Sequence, residues 1–221
     1  MKTFCIGDIH GAYHALLQCL ERSRFDRKND RLICLGDVCD RGVQVRECMD
    51  VLLGIPHCIY ILGNHDVWAL EWAREGKKPR EWWDQGGART YASYGGAGMP
   101  EDHVRFLSKG LFYYVDRNRL FVHGGFDPQS PLEETSREIF IWDRSLLEKA
   151  RLTHSGSPGY KFGEFDEIFV GHTPTLNFGR TTPSQFCNIW ALDTGAGWGG
   201  RLSIMDADTK EYWQSDPVEA F

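Results

Sequence analysis

The sequence predicts an α/β fold whose first part is a parallel sheet with helices between its strands. Three short apolar runs, at 4–6, 32–35 and 59–62, are each followed directly by a glycine. Apolar runs of this length, bounded by glycine, are typical of buried strands. The segments between them carry apolar residues at helical spacing, as at Leu16 and Leu20. Strands that alternate with helices indicate parallel pairing.

The first elements of the chain follow from this alternation. We predict strands at 3–6, 31–35 and 57–62. The intervening and following helices are predicted at 13–24, around Val45, Met49, Leu52 and Leu53, and after the loop at 63–66 through Glu71. Since parallel strands end at the same edge of a sheet, the loops after these strands are expected to lie together.

The segment 76–110 differs in character from the chain on either side of it. It contains a Lys-Lys-Pro sequence, two glycine pairs and the adjacent tryptophans Trp82 and Trp83. We predict short helices and loops that form a cap beside the strand-end loops, within one domain spanning 1–221. The two tryptophans are expected to pack inside this cap rather than to contact a substrate.

Strands return after Leu111. The runs 112–116 and 120–122 are separated by three residues and predict a hairpin. A helix is predicted around 144–151, followed by a mobile surface loop at 152–163 that is rich in Gly, Ser and Pro. The remaining predicted strands are at 168–170, 189–192, 202–206 and 211–213.

Five short segments at the ends of predicted strands combine a turn with side chains that bind metals. They are G-D-I-H-G (7–11), G-D-V-C-D-R-G (36–42), G-N-H-D (63–66), V-H-G-G (122–125) and G-H-T-P (171–174). Carboxylate, amide and imidazole groups gathered at one edge suit two divalent cations. Because such two-metal sites activate water against phosphate esters, hydrolysis of a phosphate ester is the first hypothesis.

The residue types suggest how the two cations would be held. Asp8 and His10 lie two residues apart, so both can point to one metal from an extended turn. Asp37 can bridge the two metals because a carboxylate offers two oxygens. The second metal is expected to be completed by Asn64, His123 and His172.

Three further side chains in these segments suit the chemistry of phosphate transfer. Asp40 is placed to accept the ring N–H of a neighbouring histidine, and the planar guanidinium of Arg41 suits phosphate oxygens. His65 is then free for proton transfer. The remaining histidines lack such surroundings and are expected to be solvent-exposed or packing residues: His14, His57, His103 and His154.

Composition restricts the classes of partner. The hydrophobic fraction of 42% and the charged fraction of 25% are ordinary for a globular protein. The net charge of −6 disfavours nucleic-acid binding, and no apolar stretch is long enough to cross a membrane, so neither partner is expected. The chain begins directly with a predicted strand, so we expect a cytoplasmic protein.

Seven cysteines occur without C-x-x-C spacing. We predict reduced thiols, several of them inside strands, as in a cytosolic protein. Cys39 is a separate case because it lies two residues from Asp37. A redox-sensing role for Cys39 is left open by the sequence.

The five segments resemble the motifs of the calcineurin-like metallophosphoesterases, and most closely those of the phosphoprotein phosphatase branch. The resemblance extends from Gly7 to about Met205 and includes I-W-D-R at 141–144 and L-D-T-G-A at 192–196. It implies a four-layer β-sandwich of two mixed sheets flanked by helices, with a dinuclear centre at one edge. Manganese is the expected metal, with iron and zinc as alternatives.

The resemblance also implies a role for each motif residue. The first metal would be held by Asp8 and His10, and Asp37 would bridge to the second. Asn64, His123 and His172 would complete that second metal. His65 would be the general acid, paired with Asp40, and the phosphate would be held by Arg41 and Arg144.

One position departs from this branch. Leu62 stands immediately before G-N-H, where protein phosphatases of the branch usually carry arginine. In this respect the sequence is similar to the symmetrical diadenosine tetraphosphate hydrolases of the same superfamily. We predict a serine/threonine-type protein phosphatase acting on phosphorylated protein or small phosphoesters, with the dinucleotide hydrolase as the alternative. A non-catalytic phosphoprotein-binding scaffold is disfavoured because the full ligand set accompanies His65 and Asp40.

Overall fold

Two five-stranded mixed sheets form the centre of the fold, as a computed structural model covering residues 1–218 describes it. The strands are β1 (Thr3–Ile6), β2 (Arg31–Cys34), β3 (Cys58–Tyr60), β4 (Tyr113–Asp116), β5 (Arg119–Val122), β6 (Glu167–Val170), β7 (Ser184–Phe186), β8 (Ile189–Ala191), β9 (Ser203–Asp206) and β10 (Tyr212–Gln214). The first sheet has the order β10-β9-β1-β2-β3 and the second β4-β5-β6-β8-β7. In each sheet three neighbouring strands pair in parallel, and the two remaining pairings are antiparallel.

The helices connect these strands and cover the sheets. They are α1 (Tyr13–Arg22), α2 (Val45–Leu53), α3 (Asn64–Glu75), α4 (Arg80–Trp82), α5 (Ala88–Ser93), α6 (Glu101–Ser108), α7 (Arg137–Trp142) and α8 (Ser145–His154), with a π-helical turn at Trp83–Gly87. None of the helices in the described part combines the length and hydropathy that a membrane span requires. The parallel start β1-α1-β2-α2-β3 agrees with the sequence prediction.

Alternation along the strands produces the layers. Side chains on one face of each sheet, among them Cys5, Ile33, Phe121 and Phe169, form a common core between the two sheets. The rings of Phe121 and Phe169 stack with centroids 4.7 Å apart. The opposite faces of the two sheets are buried in separate clusters that include the flanking helices. Helix, sheet, sheet and helix therefore follow one another, which confirms the predicted four-layer sandwich.

The hairpin predicted after Leu111 is formed by β4 and β5. Asp116 pairs with Arg119, so the loop has two residues, Arg117 and Asn118. Their φ angles of 48° and 59° indicate a type I′ turn, in which both central residues have positive φ and the backbone follows the twist of the two strands.

Several boundaries differ from those predicted. Helix α3 continues to Glu75, and α8 continues to His154, so the surface loop begins three residues later than expected. Helix α8 ends just before Gly156 and Pro158, which disfavour helix continuation. Strand β7 and helix α7 were not predicted. Both are short, and α7 has apolar residues without the repeat that a longer helix would show.

Candidate active site

The five motif segments lie together at one edge of the sandwich. Three of them follow β1, β2 and β3 of the first sheet, and two follow β5 and β6 of the second sheet. Because β1, β2 and β3 are mutually parallel, and β5 and β6 are parallel to each other, the carboxyl ends within each set face the same edge. Buried imidazole and carboxylate groups of both sheets therefore meet there, as the sequence predicted.

Two groups of possible metal ligands share one residue. His10, Asp37 and His65 place one donor atom each within 4.8 Å of the others, and so do Asp37, His123 and His172. Asp37 Oδ2 lies 3.7 Å from His10 Nε2 and 3.3 Å from His123 Nε2. Its other oxygen, Oδ1, accepts the backbone N–H of His65. Asp37 therefore faces the imidazoles of both groups and would be the residue shared by two cations.

Backbone carbonyls fix the orientation of the three imidazole rings. His10 Nδ1 lies 2.8 Å from Cys39 O, and His123 Nδ1 lies 2.7 Å from Leu35 O. A carbonyl only accepts, so these two ring nitrogens carry a hydrogen, and Nε2 is the nitrogen of each ring that is left to face a cation. His172 is reversed, since its Nε2 lies 3.2 Å from Trp142 O and leaves Nδ1 available.

Asp8 and Asn64 lie beside these two groups. The Asp8 carboxylate accepts the backbone N–H of His172 at 3.0 Å, and a side chain at Gly171 would collide with Asp8 Oδ1. Asn64 Oδ1 is 3.3 Å from His123 Nε2. The structure thus brings all six predicted metal-ligand residues to one place.

The charges at this edge suit cations. Burial and the nearby Asp193 raise the pKa of Asp8, and burial raises the pKa of Asp193 to about 6. Burial also opposes protonation of His123, but the adjacent Asp37 and Asp8 raise its pKa to about 10. Burial lowers the pKa of His10 to about 3, which keeps its ring neutral and able to ligate. Buried carboxylates crowded beside imidazoles form the donor set that divalent cations require, so these residues fit a dinuclear centre.

Unusual backbone conformations concentrate at this edge. Ten non-glycine residues of the described part have positive φ, and five of them belong to the site: His10, Asp37, Asp40, Arg41 and His172. Left-handed backbone costs of order 1–3 kcal/mol at such residues and persists where the surroundings impose it. The strain therefore accompanies the placement of functional side chains.

His65 and Asp40 form the predicted pair. His65 Nδ1 lies 2.6 Å from Asp40 Oδ2, and both side chains are buried. His65 also belongs to the first ligand group by distance, but its Nδ1 is occupied by Asp40. The pair is therefore arranged with Nε2 of His65 free.

Asp40 receives two hydrogen bonds that the sequence analysis did not anticipate. Trp82 Nε1 donates to Oδ2 at 2.8 Å, and Thr90 Oγ1 donates to Oδ1 at 2.6 Å. Of the two tryptophans predicted to pack, Trp82 is completely buried against Trp72 of α3, and Trp83 packs on Tyr91 within the cap. No sequence signal could link the two donors to Asp40, because they lie 42 and 50 positions further along the chain.

Asp66 is a third residue of the site that the sequence analysis did not anticipate. Its carboxylate accepts four backbone N–H groups and the hydroxyl of Tyr60; the backbone donors are Gly63, Asp37, Val38 and Cys39. It thereby connects the loop after β3 to the loop after β2. Its position in the first turn of α3, three residues after Gly63, is the signal that could have identified it.

Two arginines lie near the ligand groups. The Arg41 guanidinium stacks 3.8 Å from the ring centre of Trp198, whose side chain is 58% exposed. Arg41 Nε is buried and has no hydrogen-bond partner in residues 1–218. Arg144 Nη1 donates to His172 O at 2.7 Å, so Arg144 is anchored on the loop that carries His172.

The other histidines and the cysteines agree with the sequence predictions. His14 and His57 are exposed, while His103 bridges Asp50 and Tyr94 and His154 accepts the backbone N–H of Cys187. All seven cysteines are free thiols. Burial raises the pKa of Cys39, and the neighbouring Asp66 raises it further, so its thiol is protonated and shielded from oxidants. The redox role left open for Cys39 is therefore disfavoured.

The chain is similar in sequence to known proteins. Residues 1–188 match the family described as calcineurin-like phosphoesterase. The chain is 26% identical to a symmetrical bis(5'-nucleosyl)-tetraphosphatase of Dechloromonas aromatica over 280 aligned positions, covering 100% of this chain and 98% of the relative. It is 27% identical to serine/threonine-protein phosphatase 1 of Salmonella typhimurium over 212 positions, covering 91% and 90%.

Solved structures share the fold. The metallophosphoesterase of Sphaerobacter thermophilus matches with a TM-score of 0.61 at 20% identity, covering 100% of this chain and 90% of the other. A structure described as a candidate diadenosine tetraphosphatase matches with a TM-score of 0.71 at 20% identity, covering 96% and 92%. Together with the family match over most of the sequence, these findings identify the chain as a member of the calcineurin-like phosphoesterase family and as a hydrolytic enzyme.

Proposed function

We propose that this enzyme is a serine/threonine-type protein phosphatase that uses two divalent cations, with manganese as the expected metal. The observation that carries the proposal is the position of the His65–Asp40 pair. The pair lies directly beside Asp37, the residue common to both ligand groups. Arg41 is the next residue after Asp40 on the same loop. Phosphate-binding, metal-binding and proton-donating groups are thus within reach of one phosphoryl group.

The ligand assignment is the one that the family resemblance implies, and the gathering of these donor atoms at one edge supports it. Asp8 and His10 would hold the first cation, and Asn64, His123 and His172 the second, with Asp37 between them. When bound, the cations supply an activated water molecule and neutralise charge that develops on the phosphate. Because ligation requires neutral imidazole, cation binding would displace the proton that Asp37 and Asp8 stabilise on His123.

The remaining residues act on the substrate. The fixed guanidinium groups of Arg41 and Arg144 offer paired N–H groups to the phosphate oxygens. His65 holds a proton on Nε2 and donates it to the departing alkoxide, while Asp40 accepts the N–H at Nδ1 and keeps the ring aligned. A serine alkoxide is a poor leaving group, so this protonation is essential for phosphoserine.

The size of the chain supports a protein phosphatase. The match to the Salmonella phosphatase spans 212 positions, which this 221-residue chain accommodates without large gaps. The match to the Dechloromonas tetraphosphatase spans 280 positions, so that relative carries insertions that this chain lacks. Insertions around a shared site commonly form the substrate-binding parts that distinguish relatives.

A second candidate function is hydrolysis of a symmetrical dinucleoside tetraphosphate. Leu62 favours it, because an arginine that contacts phosphate is missing at this position. Leu62 is 5% exposed and packs against Gly110 in the helix-side core, so it offers the substrate no polar group.

The predicted cytoplasmic location stays a prediction.

A parallel assay separates the candidates. The manganese-loaded protein is tested on a phosphoserine peptide, a phosphotyrosine peptide and diadenosine tetraphosphate, with the His65→Asn variant as the background control. The proposal predicts the highest kcat/KM on the phosphoserine peptide. A much higher kcat/KM on diadenosine tetraphosphate would replace the proposal with the second candidate, and preference for the phosphotyrosine peptide would contradict the serine/threonine assignment.

A further inference from the structure

Two of the three hydrogen bonds to the carboxylate of Asp40 come from the cap. Asp40 is 0% exposed and lies on the loop after β2 with a φ of 70°. Its oxygens accept hydrogen bonds from His65, from Trp82 and from Thr90. A carboxylate buried this completely is ionised only when several donors compensate for lost water. Burial raises the pKa of Asp40, and the three donors oppose that rise.

Thr90 both accepts a hydrogen bond from Asp40 and donates one to it. The backbone N–H of Asp40 donates to Thr90 Oγ1 at 2.8 Å, and the same hydroxyl donates to Asp40 Oδ1 at 2.6 Å. Thr90 is itself completely buried, in the first turn of α5. The hydroxyl therefore fixes both the backbone and one carboxylate oxygen of Asp40.

Trp82 fixes the other oxygen. Its indole is completely buried, and a side chain at Gly87 would collide with the ring. The ring is also packed against Trp72, with centroids 5.8 Å apart. Since Trp82 cannot move without disturbing these contacts, Nε1 defines where Asp40 Oδ2 lies, and Oδ2 is the atom that binds His65.

We propose that Trp82 and Thr90 are positioning residues for the general acid. They hold Asp40 in the rotamer that accepts the His65 Nδ1–H, and through it they direct His65 Nε2 toward the leaving group. The inference rests on the proposed role of His65. It makes the cap a part of the catalytic apparatus, because a segment distant in sequence sets the direction of the proton donor.

The test uses substitutions that remove one donor and keep the shape. Trp82→Phe removes the indole N–H, and Thr90→Val removes the hydroxyl. Trp72→Phe is the matched control, since it alters the same aromatic cluster without touching Asp40. Thr90→Ser keeps the hydroxyl and is expected to retain nearly full activity.

The readout is the dependence on the leaving group. For phosphoserine peptide we expect kcat to fall about 10- to 100-fold in Trp82→Phe and in Thr90→Val, the loss expected for a charge-assisted hydrogen bond. For nitrophenyl phosphate, whose leaving group needs little protonation, the loss is expected to be under about 3-fold. Metal content is expected to be unchanged, and the Trp72→Phe control to behave like the wild type.

A double-mutant comparison separates positioning from general structural damage. If Trp82 and Thr90 act through Asp40, neither substitution should reduce kcat further in an Asp40→Asn background. Equal losses on both substrates, or full additivity with Asp40→Asn, would overturn the proposal. If Trp82→Phe fails to fold, the Thr90→Val and Thr90→Ser pair decides alone. If His65→Asn itself shows no leaving-group dependence, the general-acid assignment fails rather than this inference alone.

Discussion

Replacement of His65 by asparagine is expected to lower kcat for phosphoserine peptide by about 10²- to 10⁴-fold, the usual contribution of a positioned general acid. At about 1.36 kcal/mol for each factor of ten, this loss equals about 2.7–5.4 kcal/mol of transition-state stabilisation. Asparagine cannot deliver a proton, but its amide can still donate to Asp40 Oδ2. The substitution therefore removes the acid but still supplies a hydrogen-bond donor to the buried carboxylate.

The structure also determines what should not change. Trp82 and Thr90 continue to hold Asp40 and the asparagine amide replaces the donor of His65, so stability should fall by less than about 1–3 kcal/mol, the cost of one hydrogen bond lost at a buried group. Metal content should stay the same, although His65 lies within 4.8 Å of the donor atoms of His10 and Asp37. The assay compares kcat on phosphoserine peptide and nitrophenyl phosphate, together with elemental analysis of the same preparation.

Two outcomes would refute this reasoning. Equal losses on both substrates would show that His65 does not protonate the leaving group. Loss of a cation together with activity would show that His65 is a ligand of the first metal instead. Asp40→Asn is expected to show the same leaving-group dependence with a smaller loss, because the acid remains but is less well aligned.

Three further predictions address the substrate side and the charge of the site. Leu62→Arg is expected to lower Tm, because the buried Leu62 packs on Gly110 and a guanidinium must leave that core. A lower KM for phosphoserine peptide at unchanged Tm would contradict this placement of Leu62. Trp198→Ala is expected to raise KM for phosphoserine peptide about 2- to 5-fold at constant kcat, because an exposed cation–π contact with Arg41 is worth about 0.5–1 kcal/mol; an unchanged KM would show that the stacking does not hold Arg41. Burial raises the folded-state pKa of Asp193 to about 6, above its ordinary value, so the chelator-treated protein loses stability as pH rises from about 4 to about 6 and does not regain it at higher pH. Asp193→Asn should therefore raise Tm of that protein at pH 8 and have little effect at pH 4, and the reverse order would refute the charge argument.

The predictable part of the molecule depended on local patterns. Short apolar runs followed by glycine identified β1, β2 and β3, and the ligand residues that follow them could be placed at one edge because parallel strands share their direction. Alternation along these strands also predicts their two buried faces. The strand and helix boundaries were accurate to within a few residues, with the largest error at the end of α3.

The unpredicted parts depend on contacts between distant segments. The hydrogen bonds from Trp82 and Thr90 to Asp40 follow from how the cap docks on the loop after β2, which no periodicity encodes. The orientation of the Asp37 carboxylate depends on a backbone N–H of α3, which donates to Oδ1 while Oδ2 faces His10 and His123. Leu62 could be noticed as a departure from the family, but its burial against Gly110 is visible only in the fold.

Metal content measured together with activity is the most direct test of the dinuclear centre. The protein is treated with a chelator, assayed on phosphoserine peptide, reloaded with manganese and assayed again, with elemental analysis at each stage; Asp37→Asn is processed in parallel. We expect two cations per wild-type chain, loss of activity with loss of metal, recovery on reloading, and weakened binding of both cations in Asp37→Asn, because this residue is proposed to bridge them. A metal-free protein that retains full activity, or an Asp37→Asn variant that binds both cations as tightly as the wild type, would contradict the account.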